Sequence, residues 1–228
     1  MVVLKIENLA FSWSPTHATR IQIPHFEVKT GESVCLYGTS GSGKSTLLQL
    51  LSGALLPQQG KITVVGQEIS ALSEGERNRL RSCKMGIIFQ QFNLVPYLSV
   101  LDNIILPLRF SNHVLLRDRR ALHERVCSLL KRLGLSPQEL LDQPVDQLSV
   151  GQQQRVAAAR AFVAGAELIL ADEPTSALDP DSAHLFFDLM FAEARSSGAS
   201  IVCVSHDPSV RSLFSKSVPV SDLTCSSL

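Results

Sequence analysis

A glycine-rich segment near the N-terminus has the residue types and spacing of a phosphate-binding loop. It reads Gly38-Thr39-Ser40-Gly41-Ser42-Gly43-Lys44-Ser45-Thr46, which fits the pattern G-x-x-x-x-G-K-[ST]. Glycines allow successive backbone N–H groups to surround phosphate oxygens, where a Cβ would obstruct them. The Lys44 ammonium is suited to the β- and γ-phosphates, and the Ser45 hydroxyl is suited to Mg²⁺. The segment therefore predicts a nucleoside triphosphate as ligand.

Two adjacent acids, Asp172 and Glu173, follow the apolar run 168–171. In an open α/β sheet, the carboxyl ends of the strands face the crevice in which ligands bind. Asp172 is suited to hold Mg²⁺ through water, and Glu173 is placed to polarise an attacking water. The alternative interpretation is that both acids cap the turn or helix that follows.

A third segment, residues 148–161, reads LSVGQQQRVAAARA. On its residues alone it predicts an N-capped helix, with Ser149 as the cap, Gly151 and Gln152 in the first turn, and alanines of high helix propensity after them. The start of such a helix is also a weak anion site. Taken alone, the segment favours an ordinary capped helix over an anion site.

The apolar patterns predict the elements that hold these residues. Strand-like runs occur at 2–9, 26–29, 33–37, 61–65 and 85–89, and buried parallel strands are expected at 167–171 and 199–204. Helices are expected at 46–51 and 182–196. Between about 92 and 164 the periodicity is mostly helical, with breaks at proline and glycine. The alternation predicts an α/β core with a helical subdomain inserted between its strands.

The composition excludes several function classes. Lys+Arg and Asp+Glu number 21 each, so the net charge is zero, and we expect no nucleic acid partner, since nucleic-acid binders carry a basic excess. No apolar run reaches the roughly 18–20 residues of a membrane-spanning helix, and residues 1–7 do not form a signal peptide. The scattered cysteines predict no disulfide framework. A reducing, cytoplasmic location is expected.

The segments follow one another as in the nucleotide-binding subunits of ABC transporters, which the chain closely resembles over about residues 2–222. Residues 148–152 match the family's signature, usually L-S-G-G-Q. Gln90 matches the Q-loop glutamine, Asp179 lies in a match to the D-loop, and His206 matches the switch histidine.

The resemblance implies an α/β fold with a P-loop NTPase core of the ABC ATPase type, an antiparallel β subdomain and an inserted α-helical subdomain. It implies a single domain over 1–228. The core with its β subdomain would occupy about 1–90 and 165–228, and the helical subdomain about 91–164.

The resemblance also implies ATP hydrolysis with ATP and Mg²⁺ as cofactors. Glu173 would be the catalytic base, assisted by His206 and Gln90, and Mg²⁺ would be held by Ser45, Gln90 and Asp172. The implied ATP-binding set is Trp13, Gly38, Thr39, Ser40, Gly41, Ser42, Gly43, Lys44, Ser45, Thr46, Ser149, Gly151, Gln152 and Asp179.

Two further expectations follow from the family's architecture. Trp13, in preference to Phe11, would stack on adenine. A head-to-tail homodimer would close Ser149 and Gly151 of one chain over the γ-phosphate bound by the other.

An integral-membrane permease is the implied partner, and the chain would lie on the inner face of the cell membrane through it. Residues 89–96 and 100–108 are most similar to the macrolide-export, lipoprotein-release and cell-division branch (MacB-, LolD- and FtsE-like). This implies extrusion of drugs, peptides or lipoproteins through a MacB-, FtsX- or LolCE-like permease. The alternative is a mechanotransmission ATPase that moves a membrane partner without transporting a substrate. An ABC ATPase acting on DNA or ribosomes is disfavoured, because a coiled-coil insert and a second cassette are both missing.

Three features depart from the family pattern or leave two interpretations open. Val150 replaces the first glycine of the signature, so we expect weaker closure or slower turnover. Soon after Val220 the chain ends, which predicts no appended regulatory domain. The apolar residues between Phe92 and Tyr97 would either contact the permease or form local core.

Overall fold

The computed structural model describes residues 1–14, 20–39, 41–111 and 113–223. Ser40, one of the expected ATP-binding residues, lies outside them. In chain order the elements are β1 (Val2–Ser12), β2 (Arg20–Lys29), β3 (Ser33–Tyr37), α1 (Lys44–Leu51), β4 (Gln59–Val64), β5 (Gln67–Glu68), α2 (Glu74–Lys84), β6 (Met85–Ile88), α3 (Val100–Ser111), α4 (Arg119–Arg132), α5 (Pro137–Leu140), α6 (Val150–Phe162), β7 (Leu168–Asp172), α7 (Pro180–Ser197), β8 (Ser200–Ser205), β9 (Lys216–Pro219) and α8 (Val220–Leu223).

Two sheets form the framework. An antiparallel sheet has the strand order β2-β1-β4-β5, and a parallel sheet has the order β6-β7-β8-β3-β9. In the parallel sheet, β7 pairs with β6 on one side and with β8 on the other, and β3 pairs with β8 and β9. The carboxyl ends of β3, β6, β7 and β8 therefore lie along one edge, where ligands of such sheets bind.

The parallel sheet is apolar on both faces because each face packs against a different layer. One buried cluster joins one face to α3, α4, α6 and α7, through residues such as Ile104, Leu129, Phe162 and Phe187. The other cluster joins the opposite face to α1 and the antiparallel sheet. Side chains of consecutive strand residues alternate between the two clusters, since their period is two. The helical segment thus shares a core with the sheet that carries the site.

Local sequence chemistry explains where the site-bearing helices begin. Helix α6 begins with a capping box, in which the Ser149 hydroxyl accepts from the Gln152 N–H and the Gln152 side chain accepts from the Ser149 N–H. Asp179 caps α7, and Pro180 occupies its first position.

The structure corrects the expected elements in three places. Strands β1 and β2 are longer than the expected runs 2–9 and 26–29. Helix α2 was not expected at all.

Among the apolar residues after Gln90, Phe92 is buried, whereas Tyr97 is 80% exposed. Phe92 is therefore part of the local core, and a permease contact stays a prediction for the exposed Tyr97.

Candidate functional site

The glycine-rich loop follows β3 and leads into α1, as the sequence predicts. Gly41 and Gly43 have φ angles of +80° and +88°, which side-chain-bearing residues rarely adopt. A Cβ on Gly38 would lie 2.7 Å from the Ser42 hydroxyl oxygen. Backbone with this geometry, leading into the first turn of α1, is typical of an anion site.

Lys44 is the charged centre of this loop. Its side chain is 6% exposed, and its Nζ donates to the carbonyl oxygens of Gly38 at 2.9 Å and Thr39 at 3.0 Å. The Glu173 carboxylate lies 3.7 Å from the same nitrogen. Among the described residues, the buried Ser42 hydroxyl has no hydrogen-bond partner. A buried ammonium and an unpartnered hydroxyl at the start of a helix fit a phosphate ligand.

Asp172 ends β7 beside the start of α1. The Ser45 hydroxyl donates to its Oδ1 at 3.3 Å. Burial raises the pKa of Asp172 above its ordinary value, while the hydrogen bond from Ser45 opposes the shift. Hydroxyl and carboxylate oxygens are ligands that Mg²⁺ prefers, so this pair fits the metal. Within the described ranges no group of three His, Cys, Asp or Glu residues forms an alternative metal site.

Glu173 and His206 meet next to Lys44. Nδ1 of His206, which follows β8, contacts Oε2 of Glu173. The backbone of Glu173 has a φ of +43°, a left-handed conformation that is strained for glutamate, and its N–H donates to the Val204 carbonyl at 3.0 Å. The turn therefore directs the carboxylate back over the phosphate loop, where a base for hydrolysis is needed.

The two candidate adenine-stacking rings have different environments. Trp13 is 57% exposed and Phe11 is 8% exposed. The rings pack edge to face with centroids 5.4 Å apart. The indole N–H of Trp13 donates to the Thr46 hydroxyl at 3.3 Å, so its ring lies next to the phosphate loop.

Gln90 lies two residues beyond β6 and is exposed. Because β6 pairs with β7 through Ile88 and Ala171, Gln90 and Asp172 share one edge of the sheet. Among the described residues no hydrogen bond joins the Gln90 side chain to the phosphate loop. Its predicted role as a metal ligand is therefore untested by the geometry.

Among the described residues, no hydrogen bond or ion pair joins the remaining candidates to the phosphate loop. Ser149 and Gln152 bond to each other, and the Gly151 carbonyl accepts from Arg155 Nε at 3.1 Å. Asp179 accepts from the Ser182 N–H at 2.9 Å, and this bond lowers the pKa of Asp179. A single chain therefore brings together the phosphate loop, the acids and His206, but not the signature residues.

Sequence reasoning missed a groove of about 520 Å³ on the other side of the Gln90 segment. Its lining includes Phe89, Leu106 and Phe110, together with the arginines Arg81 and Arg160, and no acid. Phe110 is 78% exposed. A signal was present in the sequence, since the segment that forms α3 is apolar on more sides than one buried face requires.

The glycine loop, the strand-end acid and the adjacent base on a parallel sheet define a nucleoside triphosphatase of the P-loop class. The family model for ABC transporters matches residues 21–176, and the chain belongs to this family as an ATP-binding ABC-type ATPase. The prediction from the sequence is thereby confirmed.

Similar proteins extend the match over most of the chain. An uncharacterized ABC transporter ATP-binding protein of Mycobacterium tuberculosis (strain H37Rv) is 37% identical over 210 residues, which cover 91% of this chain and 82% of that protein. The lipoprotein-releasing system ATP-binding protein LolD of Xanthomonas campestris (strain 8004) is 39% identical, over 80% of this chain and 74% of its own length. The macrolide export ATP-binding/permease protein MacB of Chromobacterium violaceum is 39% identical, over 86% of this chain and 29% of its own length.

Solved structures confirm the predicted fold class. The ATP-binding cassette MJ0796, in a dimeric post-hydrolysis state bound to ADP and Pi, superimposes with a TM-score of 0.80 at 32% identity. The match covers 95% of this chain and 93% of that one. In the part of this chain that the structure describes, no helix is long and apolar enough to cross a membrane.

Proposed function

We propose that this chain hydrolyses Mg²⁺-ATP as a homodimeric motor on the inner face of the cell membrane, where it drives a permease that exports drugs, peptides or lipoproteins. The observation that supports hydrolysis most directly is the convergence of Lys44, Glu173 and His206 at one edge of the parallel sheet. A kinase would need to exclude water, whereas the Glu173 carboxylate beside Lys44 would polarise an attacking water.

The proposed reaction uses each side chain in a defined role. Glu173 accepts a proton from the water whose oxygen bonds to the γ-phosphorus, and the bond from that phosphorus to the β–γ bridging oxygen breaks. His206 keeps the Glu173 carboxylate oriented through its contact. Lys44 balances the negative charge on the β- and γ-phosphates. Bound Mg²⁺, held by Ser45, Asp172 and Gln90, would neutralise charge on the same oxygens.

The dimer is proposed because one chain holds only half of each site. Ser149 and Gly151 stand at the exposed start of α6, away from the phosphate loop of their own chain. A second copy packed head to tail brings them over the γ-phosphate, and the two-fold arrangement makes two equivalent sites. The dimeric state of the neighbouring cassette supports this proposal.

The groove beside Gln90 supports a permease partner. Large apolar side chains are exposed along it, and an exposed apolar patch of this kind marks a protein interaction site. The helical segment, about residues 91–164, would move as a subdomain and pass ATP-driven motion through this groove. Phe110 would contact the permease, and the buried Phe92 would not.

The proposal is tested by capturing the membrane partner. Tagged Glu173→Gln protein, locked with ATP and Mg²⁺, is used to retrieve proteins from detergent-solubilised membranes of its own host. We expect one permease with a large extracytoplasmic domain. Phe110→Glu should abolish capture, whereas Val114→Glu, at a residue 67% exposed but outside the groove, should retain it.

Other outcomes would separate the alternatives. A plain multi-span permease would indicate ordinary transport. A captured partner whose deletion impairs division or wall remodelling, with no export phenotype, would indicate mechanotransmission. Recovery of a dimer without any membrane protein would contradict the proposed motor function.

A further inference from the structure

Arg160 is a buried arginine in an otherwise apolar stretch of α6. It is 7% exposed, between buried alanines at positions 157–159 and 161. Its Nη1 donates to the Asn93 carbonyl at 2.6 Å, and its Nη2 donates to the Phe92 carbonyl. Across the residues that the structure describes, no carboxylate pairs with it.

A buried guanidinium without a counter-ion is costly, so the hydrogen bonds that it makes must offset this cost. Burial lowers the pKa of Arg160 to about 10, so the group remains charged at neutral pH. A methionine would fit an alanine-rich helix without this desolvation penalty. Only arginine supplies a rigid, planar set of N–H donors that can hydrogen-bond to two neighbouring backbone carbonyls at once.

Those two carbonyls belong to a strained turn. Phe92 and Asn93 have φ angles of +58° and +49°, in the left-handed region that is unfavourable for two consecutive side-chain-bearing residues. The Phe92 side chain is buried, and its N–H donates to the Phe89 carbonyl at 2.9 Å. Gln90 lies inside this turn, so the conformation of the turn determines where Gln90 points.

The rest of the loop has its own anchor. The buried Asn103 side chain of α3 accepts from the Val95 N–H at 2.8 Å and donates to the carbonyls of Val95, Leu98 and Ser99. Asn103 therefore fixes residues 95–99, and Arg160 fixes the part next to Gln90. The two anchors come from different helices.

We propose that Arg160 is a positioning residue for hydrolysis, which fixes the strained turn after β6 and thereby holds Gln90 at the nucleotide edge of the sheet. Because Arg160 belongs to α6, it ties Gln90 to the helix whose first turn carries Ser149 and Gly151. This inference rests on the role proposed above for Gln90.

The test is a double-mutant cycle on steady-state ATP hydrolysis with Arg160→Lys and Gln90→Ala. Lysine keeps the charge but cannot bond both carbonyls with one planar fork. We expect Arg160→Lys to lower kcat on the order of tenfold with little change in KM, and to have no further effect once Gln90 is alanine. Arg125→Met is the matched control, because Arg125 Nη2 donates to the Phe162 carbonyl at 2.9 Å at the other end of α6. It should keep the wild-type kcat.

A rescue and an activity-independent readout complete the test. Asn93→Gly should restore part of the kcat lost in Arg160→Lys, because glycine adopts the left-handed conformation without an anchor. Hydrogen exchange of amides 91–95 should be faster in Arg160→Lys than in the wild type, with the remaining amides unchanged. If Arg160→Lys does not unfold cooperatively, Arg160→Gln takes its place.

The outcomes distinguish the two proposals. Equal losses from Arg160→Lys in the wild-type and Gln90→Ala backgrounds, or unchanged exchange at 91–95, would overturn the role of Arg160 alone. A wild-type kcat in Gln90→Ala would overturn the role of Gln90 and this inference with it.

Discussion

Lys44 shows how a single residue keeps the phosphate loop ready for its ligand. A buried ammonium must be hydrogen-bonded, and here the carbonyls of Gly38 and Thr39 accept from it. These bonds hold the side chain across the loop instead of leaving it mobile. The nearby Glu173 carboxylate offsets part of its charge.

Replacing Lys44 with alanine should abolish measurable ATP binding, because the phosphates lose their nearest cation. The check is an equilibrium titration with a fluorescent ATP analogue. Lys84→Ala is the control, since Lys84 forms an exposed pair with Glu167 and should leave the affinity unchanged. Retained affinity in Lys44→Ala would contradict the assignment of the phosphate loop.

The raised pKa of Asp172 predicts the acid side of the activity profile. A carboxyl whose pKa is raised takes up its proton at a higher pH than an ordinary aspartate, and its protonated form is a poor Mg²⁺ ligand. As the pH is lowered, activity should therefore begin to fall at a higher pH than the one at which an ordinary aspartate titrates. Mg²⁺ and the proton compete, so raising the Mg²⁺ concentration should move this limb of kcat/KM to lower pH. If the acid limb did not respond to Mg²⁺, a group other than Asp172 would be responsible for it.

At the scale of elements, the start of α6 combines a helix cap with a departure from the family signature. Val150, 47% exposed, stands between Ser149 and Gly151. In the proposed dimer, its branched side chain would lie beside the phosphate bound by the partner chain. Val150→Gly should tighten ATP-dependent dimerisation and raise kcat, at a helix cost of roughly 0.3 kcal/mol. The check is the dimer dissociation constant with ATP, and an unchanged constant would contradict the expected obstruction.

Helices α4 and α7 are joined by a buried ion pair. Arg132 Nε lies 2.6 Å from Glu193 Oε2, and the Glu193 side chain is fully buried. Glu193→Ala should lower the free energy of unfolding by about 2 kcal/mol, because it removes the carboxylate that pairs with the partly exposed Arg132 and Arg125. Urea unfolding measures the loss. Arg120→Ala, which removes an exposed pair with Glu124, should cost less than about 0.5 kcal/mol; equal losses would contradict a structural role for Glu193.

The elements that carry the site were predictable from local sequence because their signals are local. The phosphate loop has a pattern of fixed spacing, and β7 and β8 are short apolar runs. Helix α2 was missed although Ser73 and Glu76 form a capping box at its start, because its interior is too polar to show a clear apolar stripe. The extent of β1 and β2 depends on pairing with each other, which no local pattern encodes.

The site residues that follow the end of a strand or begin a helix were predictable from the sequence. The contact of Glu173 with His206 joins residues from two strands, and it could be expected only from their common edge of the sheet. Arg160 could not be assigned from the sequence, because its significance lies in two backbone carbonyls 67 and 68 residues away along the chain. The roles of the individual site residues stay predictions.

At the scale of the whole molecule, the residues expected to bind ATP fall into two groups within one chain. The phosphate loop, Asp172, Glu173 and His206 lie along the edge of the parallel sheet, while the signature residues begin α6, whose Gln154 side chain donates to the Pro174 carbonyl just after Glu173. The groove lies behind Gln90, between α2, α3 and α6. Closure of a dimer around ATP would therefore displace the same helices that line the groove.

The measurement that tests the central claim most directly is the mass of Glu173→Gln in solution by sedimentation equilibrium, with and without ATP and Mg²⁺. We expect a monomer without nucleotide and a dimer with it, because in the proposed arrangement Ser149 and Gly151 of each copy would complete the site of the other. Adding Ser149→Arg to the same variant should keep it monomeric while its ATP affinity per chain stays measurable. A Glu173→Gln protein that is saturated with Mg²⁺-ATP and still sediments as a monomer would contradict the account.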